Sequence, residues 1–208
     1  MIGIWVVGGA AALLAAIATS WWRLRGELRG CFGRPLEGAW LDAAPAPAPE
    51  LHALGFTAAG TLRLGGPAAE VWEVFLHPHL PVYACRVTGG AGGSVHAHLE
   101  TFYPLGRLST TGSPRFARLW SWVETGGPRL VQHRAGGSPG ALEGQHTGTL
   151  HAWRAGGREP LPATQEALLG YLEQDHAALG AAVERLPWWP APAFLRWLLL
   201  RRPPYLRF

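Results

Sequence analysis

The chain opens with a long apolar stretch and continues as short apolar runs separated by glycine and proline. From Ile2 to Trp22 no side chain is charged, and residues 23–34 then contain four arginines. About 20 consecutive apolar residues are enough for a helix to cross a hydrocarbon core of about 30 Å. The sequence therefore predicts a single transmembrane helix over residues 1–22.

Aromatic and basic residues mark the ends of this predicted span. Indole rings favour the headgroup region of a bilayer, and arginines concentrate on the cytoplasmic side. The pattern predicts a single-pass protein of a bacterial inner membrane, with the N-terminus outside and the main domain in the cytoplasm. The residues predicted to lie at the membrane interface in this part of the chain are Trp5, Trp21, Trp22, Arg23 and Arg25.

Two further patterns overlap the apolar stretch. Residues 16–18 read Ala-Ile-Ala and resemble a signal-peptidase site, but no basic segment precedes the stretch, so anchoring is favoured over cleavage. Gly8, Ala12 and Ala16 recur at intervals of four and would place small residues on one helix face. Such a face lets another helix, from a second copy or another membrane protein, approach closely. The alternative is that alanine-rich sequence produces this spacing by chance.

The region after the anchor predicts a linker and then a sheet. Residues 23–50 form a basic juxtamembrane segment and an alternating Ala-Pro linker, which is semi-rigid in its extended form. Short runs rich in Val, Trp, Tyr, Phe and Thr then predict six or seven strands. Connections of roughly 2–6 residues favour an antiparallel meander over parallel pairing. The predicted strands are Phe56–Leu64, Ala69–Leu76, Val82–Thr88, Val95–Tyr103, Leu108–Thr111, Phe116–Glu124 and Arg129–His133.

Two helices are predicted to follow the strands. Ser138 before Pro139 is a favourable N-cap with proline at the first helical position. The second helix is predicted over Thr164–Leu186, where leucines recur at helical spacing. Strands followed by helices indicate an α+β domain over residues 51–186, in which both helices cover one face of the sheet.

The C-terminal segment, residues 187–208, mixes aromatic and basic side chains. Its apolar run is too short to span a bilayer, so it is predicted to lie at the membrane interface. Docking on the domain or on a partner protein is the alternative. The interfacial residues predicted here are Trp188, Trp189, Arg196, Trp197, Arg201 and Arg202.

Net charge supports this assignment of the two terminal segments. All 18 basic residues are arginine, as is typical of a GC-rich genome, and the chain carries a net charge of +4. Residues 23–34 carry +3 and residues 184–208 carry +4, whereas residues 35–183 carry −3. A slightly acidic domain argues against a nucleic-acid partner. The absence of lysine excludes a P-loop, and two cysteines exclude an all-cysteine zinc site.

One strand offers a candidate metal site. His96, His98 and Glu100 alternate along the predicted strand and would share one face, and these are side chains that bind Zn or Fe. The alternative is that the opposite face, with Ala97 and Leu99, is the core side, so that the three polar residues meet solvent. No cofactor other than such a metal is predicted.

The sequence predicts the location of the protein at a membrane more clearly than it predicts an activity. Residues 136–140 match the G-x-S-x-G pattern, but the residue after Ser138 is proline, which lacks the backbone N–H that an oxyanion hole requires. The favoured prediction is a non-catalytic binding, scaffold or accessory domain at the bilayer. A metal-dependent enzyme using the His-x-His-x-Glu face and a lipid-binding or sensing domain are the alternatives.

Overall fold

The fold is a mixed sheet with one long helix before it, two helices after it and one short helix between its first two strands. The computed structural model describes residues 2–65, 70–89, 96–104, 106–112, 129–134 and 138–188, with the side chains of the first helix described from Ala15 onward. The α+β class predicted from the sequence is confirmed. The elements are α1 (Ile2–Phe32), β1 (Gly38–Leu41), α2 (Pro49–Ala53), β2 (Thr57–Leu64), β3 (Glu70–Leu76), β4 (Tyr83–Gly89), β5 (His96–Tyr103), β6 (Gly106–Thr111), β7 (Arg129–His133), α3 (Pro139–Ala155) and α4 (Gln165–Glu184).

The seven strands lie in the sheet in the order in which they occur in the chain. Neighbours from β1 to β6 are antiparallel, but β7 runs parallel to β6, with Leu130 opposite Leu108. The prediction of a purely antiparallel meander was therefore wrong at the last strand. A parallel pair needs a connection of about a dozen residues or more, and residues 112–128 supply it. The predicted strand Phe116–Glu124 falls outside the described residues.

The sheet has a buried core on each of its two faces. On one face, Leu99 and Leu108 pack with Leu142 and Leu150 of α3. The other face packs against α4, whose inward residues Leu168 and Leu172 join a second cluster. The prediction that both helices cover one face was therefore wrong. Both side-chain parities of β4 to β6 are buried, so each face requires its own helix.

Helix α1 is continuous from Ile2 to Phe32, and its C-terminal half packs on α4 through Leu28 and Phe32. Among the residues whose side chains the structure describes, no helix is both long and apolar enough to cross a membrane. The transmembrane helix predicted over residues 1–22 is thus not found there. Met1 and the side chains of residues 2–14, which make up most of that prediction, lie outside the described set.

The segment predicted as a linker contributes to the domain. Strand β1 pairs with β2, and Trp40 lies opposite Leu62. Farther along, the backbone of Ala46 is held at both of its polar atoms: its N–H donates to Glu73 Oε1 at 2.7 Å, and its carbonyl accepts from Arg86 at 3.2 Å. The Ala-Pro stretch therefore begins on the sheet surface, and residues 38–53 belong structurally with the domain.

Candidate functional site

The most highly charged buried group of the described residues lies between the sheet and α4. Arg107 of β6 donates from Nε to Glu100 Oε2 at 2.7 Å and from a terminal nitrogen to Asp175 Oδ2 at 3.1 Å. Arg129 of β7 pairs with the other oxygen of Asp175. We call Glu100, Arg107, Arg129 and Asp175 the ion cluster. It contains two positive and two negative groups, so its formal charges cancel.

Burial makes this pairing obligatory. Burial alone would lower the pKa of Arg107, but the carboxylates of Glu100 and Asp175 outweigh it and raise that pKa above its ordinary value. For Arg129 the loss of hydration dominates, and its pKa is lowered despite Asp175. Ser109 also donates to Glu100 Oε2, at 2.5 Å, whereas Oε1 of the same carboxylate is buried without a hydrogen-bond partner among the described residues. Taking any one charge away would leave another uncompensated in the interior.

The residues predicted to bind a metal border the ion cluster. His96, His98 and Glu100 do share one face of β5, the face that packs toward α4; His98 and Glu100 are inaccessible to solvent and His96 is partly buried. The alternative prediction that this face meets solvent was therefore wrong for His98 and Glu100. The Arg107 cation already balances the charge of Glu100 by pairing with its Oε2. Within the described part of the chain, no group of three or more His, Cys, Asp or Glu side chains could hold a metal ion.

His98 has a tightly packed aromatic environment. Its ring stacks on Trp72, with centroids 5.9 Å apart and planes 10° apart, and it meets the His96 ring at 4.5 Å. Burial, with smaller contributions from His96 and Arg107, holds the pKa of His98 well below its ordinary value. His98 is therefore a neutral side chain of the core under physiological conditions.

The opposite face of the sheet contains a buried polar network without charges. His146 of α3 lies with Nε2 2.9 Å from the Thr101 hydroxyl and with Nδ1 2.9 Å from the Thr110 hydroxyl. Thr110 also donates to Gln132 Oε1 at 2.9 Å, and the amide of Gln132 donates to Thr149 at 2.7 Å. Burial lowers the pKa of His146 to about 3. We call these five residues the neutral network.

A shallow cleft opens beside the ion cluster, between α4 and the turn that joins β5 to β6. Asp175 also lines this cleft, but both of its carboxylate oxygens already accept from arginines. The negative charge of Asp175 is therefore balanced by Arg107 and Arg129. The other lining residues of the cleft are three aromatic residues, Phe102, Tyr103 and Tyr171, together with Gly106, Leu161, Gln174 and Ala178.

The aromatic residues predicted to lie at a membrane interface come together at one end of the domain. The indole N–H of Trp21 donates to the carbonyl of Pro187, and that of Trp22 donates to the carbonyl of Trp188, both at 3.0 Å. Trp22 and Trp188 remain 51% and 68% exposed. We call Trp21, Trp22, Pro187 and Trp188 the aromatic pole. It joins two segments that are more than 160 residues apart in the chain.

The other residues predicted for the membrane interface, and those predicted for helix packing, divide between described and undescribed parts. Arg23 of the first set and Ala16 of the second are exposed on α1, and Arg25 is half-buried. The side chains or positions that fall outside the described residues are Trp5, Gly8, Ala12, Trp189, Arg196, Trp197, Arg201 and Arg202.

Sequence reasoning missed the ion cluster. The signal that could have revealed it is Asp175, which occupies a stripe position of α4 between Leu172 and Leu179. A carboxylate among leucines at helical spacing requires a buried cation, and Arg107 and Arg129 supply two. No protein-family model, curated protein or solved structure matches the chain.

Proposed function

We propose that the protein is a membrane-anchored, non-catalytic domain that acts as a binding, scaffold or accessory unit on the cytoplasmic side of a bilayer. The observation that carries the proposal is the aromatic pole. Trp22 and Trp188 are large apolar side chains that remain exposed, and they lie where an uncharged stretch of 21 residues, from Ile2 to Trp22, meets the domain. Exposed indoles next to an apolar helix favour the headgroup region of a membrane.

The polar interior supports a structural rather than a catalytic role for its charged groups. A general acid or base must reach the substrate within hydrogen-bond distance. Glu100 is fully buried and bound to Arg107 and Ser109, and both oxygens of Asp175 accept from arginines. Asp175 therefore holds α4 to the sheet, and Glu100 links β5 to β6.

The anchor can be tested with matched alanine-to-arginine changes. Ala15 and Ala16 are exposed within the apolar stretch, and Ala152 is exposed on α3. Each arginine near the centre of a transmembrane helix costs up to about 3 kcal/mol. We expect the wild-type protein and Ala152→Arg to remain in the membrane fraction after alkaline carbonate extraction, and Ala15→Arg/Ala16→Arg to be released. Release of the wild-type protein would contradict the proposal.

The orientation can be tested with a native thiol. Cys31 is exposed near the end of α1, whereas Cys85 is buried and burial raises the pKa of its thiol, so only Cys31 should react readily. We expect a membrane-impermeant maleimide to label Cys31 only after the membrane is permeabilised, so that the reagent reaches its cytoplasmic side. Labelling of Cys31 in intact cells would indicate the opposite orientation. A Cys31→Ser variant provides the background signal.

A further inference from the structure

The contacts between α1 and α4 fix the direction in which the domain leaves the apolar stretch. Three contacts join α1 to α4 and the residues just after it: Trp21 with Pro187, Arg29 with Glu184, and Phe32 with His176. As the residue number rises along α1, the number of its partner falls. The two segments are therefore antiparallel. Trp22 and Trp188 emerge at the same end, away from the sheet.

The joint between α1 and α4 is closely packed. Leu28 is fully buried in a cluster with Val131, Leu179 and Val183. A side chain added at Gly180 would bring its Cβ to 2.6 Å from the Phe32 carbonyl oxygen, so glycine is needed for this approach. The imidazole of His176 lies 2.8 Å from the Arg34 carbonyl oxygen. The domain thus begins within about 15 Å of Trp22 along α1, with no free spacer.

Arginines lie on the domain side of both exposed indoles. Arg23 follows Trp22, and Arg185 precedes Trp188 by three residues; both arginines are exposed. Because the two segments are antiparallel, each indole has an arginine on the side nearer the sheet. Indoles at the boundary with guanidinium groups beyond them fit the chemistry of a lipid headgroup layer, in which basic side chains meet phosphates.

From these contacts we propose that Trp22 and Trp188 together define the headgroup plane of the bilayer and hold the domain directly on the membrane surface in one orientation. The partner of the aromatic pole is the headgroup layer itself. This inference rests on the proposed function, because it requires that residues 1–22 anchor the chain. It adds that Trp22 and Trp188 lie at one common depth and that the domain follows α1 without a flexible spacer.

Spin-label depth measurements on the full chain test this inference. In a Cys31→Ser background, a nitroxide is attached to Trp22→Cys, to Trp188→Cys or to Ala152→Cys, and the native Cys31 is labelled in a fourth sample. The proteins are placed in vesicles of phosphatidylcholine and phosphatidylglycerol. Depth is read from collision with oxygen, which enters lipid, and with a nickel chelate, which stays in water.

We expect positions 22 and 188 to report the same headgroup depth, and positions 31 and 152 to report water. Vesicle flotation is measured for every variant. Failure of the proteins to float would overturn the proposed function and this inference with it. Flotation with positions 22 and 188 as open to the nickel chelate as position 31, or at clearly different depths from each other, would overturn only the orientation. The pole would then be a docking surface for another protein.

Discussion

The two faces of the sheet bury polar side chains in different ways. Against α4, the ion cluster balances two carboxylates with two guanidinium groups. Against α3, the neutral network links one imidazole to hydroxyl and amide groups. The ion cluster and the neutral network each join a helix to the same three strands, β5, β6 and β7, at one edge of the sheet.

The difference lies in what the loss of one member leaves behind. Removing a group from the ion cluster leaves a bare charge in the interior, which costs several kcal/mol. Removing one from the neutral network leaves an unsatisfied hydroxyl or amide, which costs about 1–3 kcal/mol. The α4 face should therefore be the more sensitive to single substitutions, although it need not contribute more net stability.

The substitution with the largest expected effect on this difference between the two faces is the removal of Asp175. Asp175→Ala leaves Arg107 and Arg129 without their shared carboxylate, and we expect the free energy of unfolding to fall by about 3–5 kcal/mol. Urea unfolding measures the change. Glu173→Ala, an exposed carboxylate on the same helix, should change stability by less than about 0.5 kcal/mol. Equal effects of the two changes would contradict the role of the ion cluster.

The matching change on the other face is His146→Ala. It removes one hydrogen-bond partner from each of Thr101 and Thr110 and opens a small cavity, so we expect a loss of about 2–3 kcal/mol. His151→Ala, on the exposed side of the same helix, is the control and should be close to neutral. A loss larger than that of Asp175→Ala would reverse the ranking of the two faces.

Acid should act on the neutral network through His146. The folded-state pKa of His146 is about 3, whereas the unfolded chain takes up the proton near pH 6.5. Below about pH 6.5 the unfolded state binds more protons, so stability falls as pH falls. We expect His146 to account for about 2 kcal/mol of the stability lost between pH 7 and pH 5. In His146→Gln, the stability lost between pH 7 and pH 5 should be smaller by about 2 kcal/mol. If the variant loses as much stability as the wild-type protein, groups other than His146 are responsible for the acid sensitivity.

The smallest expected effect concerns an ion pair near the surface. Arg86 donates to Glu73 at 2.5 Å on the α3 face, where both side chains are partly exposed. Glu73→Gln keeps an acceptor for the Ala46 N–H but removes the charge, and we expect a loss of about 0.5–1 kcal/mol. Added salt should weaken this pair more than the ion cluster. A loss as large as that of Asp175→Ala would mean that burial does not set the strength of these pairs.

The sequence predicts the positions of the helices and strands better than it predicts which of these elements pack or pair with each other. Ser138 caps α3 as predicted, and Thr164, predicted as the start of the second helix, caps α4; each accepts from a backbone N–H three residues later. Local patterns carry this information, because caps and strand alternation depend on neighbouring residues. The parallel pairing of β7 was not predictable in this way, since it depends on the path of the residues between Thr111 and Arg129.

The buried charges were hidden for a similar reason. Strand β6 reads Gly-Arg-Leu-Ser-Thr-Thr and resembles a strand at the surface, yet all six residues are buried. Arg107 can be buried because Glu100 pairs with it from β5 and Asp175, 68 residues later, meets it from α4. Strand β1 was missed as well, because four residues within a Pro-rich region give too short a pattern.

The packing of α1 on α4 also has a consequence for how the chain is made. Leu28 and Phe32 are synthesised near the start, but their partners Leu179 and Val183 follow about 150 residues later. At about 5–20 residues per second, α1 waits roughly 8–30 seconds for the helix that covers it. During that interval its apolar face is open to chaperones or to a membrane. Early capture of α1 would keep this face from aggregating while the sheet is assembled.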